Sequence, residues 1–247
     1  MKVSISRQIN YFDIDTNYRI SLGSLFRVLQ EASSKHHDDA ERGNDTSCKW
    51  ILNRMAATID CYPRYGDTVT AVTWHRSSKG YKAWRDYELH ADGRRLAAVT
   101  STWLYYDLAA RKLRRVPADT GERYGVAEVA ATGIDIEAWK PDFDFVPDQT
   151  TRITTRPTDY DPLNHVNNSI YFDYLAALLF RNGTPSDRIG SITLQYQKEI
   201  GRHVEAVEAG CTISGRRGVF KIFSDDTVFA AGEFHLMNDS SILKDDE

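Results

Sequence analysis

At 247 residues and 41% hydrophobic side chains, the chain is long enough for one large domain or two modest ones with a real core. An overall charge of −4 without any RNA or DNA motif argues against a nucleic-acid binder. The alternating opening from Lys2 to Tyr11 carries neither a signal-peptide pattern nor a membrane span, so a soluble cytoplasmic protein is expected.

In chain order, Val3, Ile5, Ile9 and Tyr11 alternate as a half-buried strand. The polar turn Asp13 to Arg19 follows, and then Leu22, Leu25, Phe26, Val28, Leu29 and Ala32 recur at helical spacing. A polar stretch from His36 to Ser47 leads into four strand-like runs near 50–62, 67–78, 81–91 and 95–107, divided by turn signals such as Ser78-Lys79-Gly80 and Asp92-Gly93. His36-His37-Asp38-Asp39 has the composition of metal ligands, but helix neighbours point in different directions, so a solvated helix end is expected there. The alternation fades from about residue 108, and Pro117, Gly121, Gly125, Gly133, Pro141 and Pro147 mark a connection that can hold a short helix.

From about 148 the order begins again: strand 150–156, polar turn, helix 168–181, then strands near 188–199, 203–214, 217–224 and 227–237. The chain therefore reads as an internal duplication of one strand, helix and four-strand unit, with residues 238–247 expected to fray. Each copy would be an antiparallel sheet curved around its helix, an α+β arrangement. Asp13 and Asp15 fall on Asp159 and Asp161, Arg19 on His165, and Arg64 on Glu199. Arginine cannot serve as a base at neutral pH, whereas histidine and a carboxylate can, so only the second copy is expected to be catalytic.

The second turn, Asp159 to Asn168, sets acid, amide and imidazole groups just ahead of an apolar helix face formed by Ile170, Tyr171, Tyr174, Leu175, Leu178 and Leu179. Asn167 or Asn168 can cap that helix, and unpaired N–H groups at its start could stabilise an oxyanion beside His165 and Asp161. The plainer reading is an Asn/Asp-rich turn with a hydrogen-bonded histidine. Trp50, Trp74, Trp84 and Trp103 fit core packing and the wall of an apolar ligand tunnel equally well. Between Arg76 and Arg115, ten basic residues stand against four acidic ones, so a solvated strand face and a docking surface for an acidic partner both fit. No G-x-S-x-G elbow, phosphate-binding loop or dinucleotide-binding glycine motif is present in the sequence.

Taken together, Trp50 to Met55, Tyr62-Pro63-Arg64-Tyr65-Gly66-Asp67, Arg85-Asp86, Leu113 to Pro117, Asp161…His165-Val166-Asn167-Asn168 and Glu199 to Arg202 resemble the acyl-acyl carrier protein thioesterases over nearly the whole chain. The resemblance implies two tandem hot-dog modules: residues 1–115 hold the acyl chain without catalysis, 116–147 connect, and 148–247 are catalytic. It places the family's catalytic acid, histidine and downstream glutamate on Asp161, His165 and Glu199. Asp161 would be nucleophile or base on water, His165 would handle protons, and Glu199 would orient His165 or the water. Asn164 and the N–H groups near Val166, Asn167 and Asn168 would support the oxyanion. One position departs from the family's D-x-N-x-H pattern, since Leu163 stands where the asparagine is expected and Asn164 follows it.

The expected activity is hydrolysis of a fatty acyl thioester on an acyl carrier protein. No cofactor or metal is expected, because a thioester carbonyl is activated enough without one. The carrier, bearing a phosphopantetheine-linked acyl chain, would dock on Arg76, Lys79, Lys82, Arg85, Arg111, Lys112, Arg114 and Arg115. The assembly is left open between monomer and homodimer. An acyl-CoA thioesterase is the rival within enzymes, and a non-hydrolytic acyl-binding or dehydratase-type hot-dog protein the rival from another class. Dehydratase-type relatives space their acid and histidine as D-x-x-x-x-H, against the three residues between Asp161 and His165.

Overall fold

The structure, a computed structural model, describes residues 1–42 and 47–238. The expected fraying of the C-terminus falls almost wholly on residues 239–247, outside the described ones.

The first half runs β1 (Lys2–Gln8), α1 (Leu22–Ala40), β2 (Cys48–Ile59), β3 (Thr68–Lys79), β4 (Lys82–Ala91) and β5 (Arg94–Asp107). A two-residue strand, β6 (Lys112–Leu113), pairs with β5, and α2 (Thr120–Tyr124) follows. The second half repeats the plan as β7 (Gln149–Thr154), α3 (Ile170–Arg181), β8 (Ile189–Tyr196), β9 (Ala206–Ser214), β10 (Arg217–Ser224) and β11 (Thr227–Leu236). The sheet order β1-β3-β4-β5-β2-β8-β11-β10-β9-β7 reads the same from either edge once each strand is replaced by its copy, and all pairings along it are antiparallel. β2 meets β8 at the seam through Arg54↔Gln195 to Thr58↔Ser191.

Both long helices lie on one face of this sheet and bury the apolar positions expected from their periodicity. Ser21 caps α1 by accepting the Ser24 N–H at 3.2 Å. The helices also meet each other. Phe26 stacks on Phe172 with ring centroids 3.7 Å apart, and Arg27 pairs with Asp173 at 2.7 Å. Gly23 sits at this crossing, where an added Cβ would lie 1.9 Å from Asp173 Oδ1, so a side chain there would displace the Asp173 carboxylate that pairs with Arg27.

α1 ends as expected with Asp38 and Asp39 exposed, but His36 does not share that exposure. His36 is fully buried instead of forming a solvated helix end, because its ring nitrogens are taken by the Tyr124 carbonyl (2.9 Å) and by Arg85 (3.0 Å).

Residues 129–147 form a strap laid across the outer face of the sheet, whereas Tyr124 of α2 turns to the helix side. Trp74 of β3 donates to Val129 O at 2.8 Å, and Asp86 of β4 accepts the Ala131 N–H at 2.9 Å. Arg54 of β2 donates to Ile136 O at 2.8 Å, Trp139 donates to Glu233 of β11 at 2.8 Å, and Pro147 lies against Gly210 of β9. Irregular backbone cannot pair with itself, so these side chains satisfy it strand by strand.

Candidate active site

The second polar turn is a tight backbone loop. Asp161 N–H donates to His165 O and Asn164 N–H to Asp161 O, both at 2.9 Å. The Asp161 carboxylate accepts the N–H groups of Leu163 (2.9 Å) and His165 (3.4 Å). Asn164 closes the loop with φ of 63°, a left-handed conformation that asparagine tolerates better than most residues. That role leaves Asn164 exposed at the tip of the loop and not beside the reacting groups.

His165 then bridges to Gly201, which brings the loop after β8 alongside. The His165 Nε2 lies 3.0 Å from Glu199 Oε2, with the histidine about one-third exposed and the glutamate about half exposed. With Nε2–H given to Glu199, the other ring nitrogen is left to exchange a proton. Asp159 does not join them. It is buried and held by Arg156 and by the Tyr174 hydroxyl (2.9 Å), a structural role matched by Asp13 with Arg7 in the first half.

Two of the expected oxyanion donors are occupied. Val166 N–H donates to Ile200 O at 2.9 Å and Asn167 N–H to Asp159 O at 2.8 Å, since both residues build the turn. The Asn167 side chain instead organises the helix entry by accepting from the N–H and hydroxyl of Ser169. Asn168 is the donor that remains. Its N–H has no hydrogen-bond partner among the described residues, and its carbonyl is fixed by the Tyr196 hydroxyl at 2.9 Å. Tyr171, read from sequence only as a core position, is a further neighbour. Burial, reinforced by Glu199 and Asp161, holds its phenol well above the ordinary range.

Asp161, Leu163 and Asn168 line one side of a cavity of ≈ 290 Å³ that extends between α1 and the inner face of the first half's sheet, past Trp50 and Trp103. Trp74 and Trp84 do not line it. Trp74 is fully buried under the strap's Val129, and Trp84 lies beneath Lys82.

The structure corrects the alignment of the halves. Arg64, not Tyr62, bridges to Arg19 as Gly201 bridges to His165, and Pro63 O accepts Ile20 N–H as Ile200 O accepts Val166 N–H. The counterpart of Glu199 is therefore Tyr62, fully buried and donating to Ile189 O at 3.0 Å, and not Arg64. A glycine in each loop suggests the other register, but Gly66 and Gly201 are not equivalent. Gly66 has φ of 90° and donates to Ile9 O, whereas Gly201 forms the bridge.

Of the basic residues expected to dock a partner, Arg85 is buried on the inner face and cannot reach one. Arg76 pairs with Asp86 (3.4 Å), Lys82 with Glu137 (2.8 Å) and Arg114 with Asp107 (3.0 Å). Lys79, Arg111, Lys112, Arg114 and Arg115 are exposed.

Comparison with known proteins gives a consistent result. The family model for the acyl-ACP thioesterase N-terminal domain matches residues 2–124, and that for the C-terminal domain matches residues 146–232. A chloroplastic acyl-[acyl-carrier-protein] hydrolase of Cuphea viscosissima is 25% identical over 213 residues, covering 80% of this chain and 52% of its own length. A chloroplastic palmitoyl-acyl carrier protein thioesterase of Arabidopsis thaliana is 25% identical over 210 residues, covering 78% and 51%. The chain thus spans about half the length of the curated relatives it matches. Among solved structures, the 12:0-ACP thioesterase of Umbellularia californica superposes with a TM-score of 0.82 at 20% identity, over 95% of this chain and 96% of that one. An acyl-ACP thioesterase of Bacteroides thetaiotaomicron gives 0.78 at 18% identity, over 95% and 97%. These likenesses show the fold: two hot-dog modules of α+β class.

Proposed function

Since this chain belongs to the acyl-ACP thioesterase family, we propose that it hydrolyses a fatty acyl thioester on an acyl carrier protein, releasing the free acid and the carrier's thiol. The observation that carries the reading is the His165–Glu199 pair at 3.0 Å beside a cavity edged by Asp161, in the half where Arg19 and Tyr62 have been replaced.

In this reading the acyl chain lies in the cavity and its carbonyl faces the Asn168 N–H, which stabilises the oxyanion. The Asp161 carboxylate accepts a proton from water as the water oxygen bonds to the carbonyl carbon. The C–S bond then breaks as His165, oriented by Glu199, gives a proton to the leaving sulfur; the proton held by Asp161 is released to solvent, and His165 takes one back from solvent to restore the site. The alternative in which Asp161 itself attacks uses the same groups and passes through an anhydride that water then opens.

The test is product analysis by mass spectrometry on acyl carrier proteins loaded with chains of different length. Free acid should appear with the wild-type chain and fall at least about a hundredfold with Glu199→Ala. Intact acyl carrier protein after prolonged incubation would rule the hydrolase out and favour a binding protein.

The carrier is proposed to dock against the exposed cluster Lys79, Arg111, Lys112, Arg114 and Arg115. Exposed pairs are screened within about 8 Å at physiological salt, so raising ionic strength should reduce the preference for carrier-bound over coenzyme-A-bound substrate. A rate ratio unchanged by salt would remove this surface from consideration.

A further inference from the structure

The strands β2 and β8, copies of one another, pair antiparallel at the seam, and both long helices lie on one face of the sheet. The halves are therefore related by half a turn about the sheet normal, so α1 and α3 pass each other in opposite directions. Phe26 and Phe172, which are equivalent residues, stack at the crossing. Gln30 stands one turn beyond it on α1, and Asn168 one turn before it, on the chain entering α3. Reversal of direction brings the two to the same side of the crossing, so the Gln30 amide of the first half faces the unpaired Asn168 N–H of the second.

The spaces around the site agree with this juxtaposition. Gln30 and Asn168 both line the ≈ 290 Å³ cavity and a narrow pocket of ≈ 20 Å³ against the phenylalanine pair. Gln30 and Asp161 both line an open groove of ≈ 780 Å³ between α1 and the turn. Among the described residues, Gln30 alone lines all three. A substrate with its acyl chain in the cavity and its pantetheine arm in the groove carries its thioester carbonyl at their junction, where Gln30 and Asp161 meet.

The fold itself asks nothing of this amide. The Gln30 side chain is half-buried and has no hydrogen-bond partner among the described residues, since the Ser33 hydroxyl donates to the Gln30 backbone carbonyl at 2.9 Å. On the other side of the crossing, the equivalents of Gln30 and Asn168 are Ala176 and Leu22, neither of which carries an amide. Like His165 and Glu199, the amide is present only where the chemistry is. Its chemistry also suits the place, because an arginine or lysine there would pair with the Asp161 carboxylate, whereas an uncharged amide donates N–H groups without neutralising the base.

We propose that Gln30 is a catalytic residue whose Nε2–H is the second donor to the thioester oxyanion, converging on it with the Asn168 N–H. The reacting centre is then shared between the halves, with base, histidine and one N–H from the second and the other N–H from the first. The proposal rests on the thioesterase reading for the reaction and on the helix crossing for the residue.

The experiment measures kcat and KM on pantetheine thioesters of saturated fatty acids for wild type, Gln30→Met, Gln30→Ala and Gln30→Glu. Loss of one oxyanion donor should lower kcat about a hundredfold in the Met and Ala variants, with KM within about threefold of wild type and Tm unchanged. Gln30→Glu, equal in shape but negative, should fall at least as far. A kcat within about threefold of wild type in a folded Gln30→Met or Gln30→Ala, or a loss confined to KM, overturns the proposal while leaving the thioesterase reading intact.

A second measurement reads the donor directly. In a ketone analogue with methylene in place of sulfur and ¹³C at the carbonyl, each hydrogen bond to oxygen weakens the C=O bond, so the infrared band should lie lower in the wild-type complex than with Gln30→Met. If the wild-type protein cleaves no thioester, the hydrolase reading fails and this band decides alone. The same band position in both proteins, or an analogue that the wild type does not bind, then removes Gln30 as a donor.

Discussion

In the first half, the carboxylate of Asp15 accepts the N–H groups of Asn17 at 2.8 Å and Arg19 at 3.3 Å; in the second, Asp161 accepts those of Leu163 at 2.9 Å and His165 at 3.4 Å. Tyr18 and Asn164 occupy the same left-handed position at the loop tip, with φ of 58° and 63°. The backbone is shared and the reactive groups are not. An acid at Asp161 is required by the loop whether or not chemistry occurs there, whereas His165 in place of Arg19 and Glu199 in place of Tyr62 have no such architectural demand. The histidines divide the same way, since His36 and His75 of the first half are buried while His165 is partly open to solvent.

The sharpest way to break this comparison is to alter matched positions. Asp161→Asn keeps an oxygen acceptor for the loop N–H groups while removing the carboxylate, so a folded variant should lose at least about a hundredfold in turnover, as should His165→Ala. Asp15→Asn and Arg19→Ala should stay within roughly threefold of wild type on a short acyl substrate. A folded, fully active His165→Ala would move the chemistry elsewhere.

The buried imidazoles predict a pH dependence of stability. Their folded values near 4 lie below the unfolded value of 6.5, so the unfolded chain binds more protons between those limits. Stability should therefore fall as pH drops below 6.5 and level off near 4, each group contributing a slope of up to about 1.4 kcal/mol per pH unit. Urea denaturation at pH 7.5, 6.5 and 5.5 should show a shallower loss for His36→Gln than for wild type. Parallel curves would mean that His36 is not buried as the neutral form.

Tyr62 and Glu199 should separate cleanly in the same assay. Tyr62→Phe strands the Ile189 carbonyl and should cost about 1–3 kcal/mol with little change in turnover, while Glu199→Gln, half exposed, should cost no more than about 0.5 kcal/mol and lower turnover. The smallest effect is expected at Leu163, which is 50% exposed on the loop. Leu163→Asn should leave turnover within an order of magnitude, about 1.4 kcal/mol, and a hundredfold change in a steady-state assay would place that side chain among the reacting groups.

The duplicated order of strands and helices was legible because burial imposes period 2 on strands such as β1 and period 3.6 on α1 and α3. The His165 turn stood out for the same reason, as a polar interruption before an apolar helix. Its partner was harder to place. Counting three residues from the strand ends, Ile59 to Tyr62 and Tyr196 to Glu199, recovers the right register, but strand ends are not printed in a sequence. The fate of backbone N–H groups was equally hidden, since Val166 and Asn167 are consumed by contacts with residues distant in the chain or across the turn. Arg85 read as one more surface cation because a single strand position does not reveal which face of the sheet is roofed by a helix.

The strap has a consequence for kinetics. Its anchors lie in turn on β3, β4, β2, β11 and β9, so its contacts are complete only when both half-sheets have joined along the β2–β8 seam. Contacts of such wide sequence separation close late, after most of the loop entropy has been lost, and so are expected to be weakly formed in the folding transition state. Interactions absent from the transition state but present in the native state act on the unfolding rate alone. The strap is thus a latch in the kinetic sense: it should leave the speed of assembly almost untouched and lengthen the time before the two halves part.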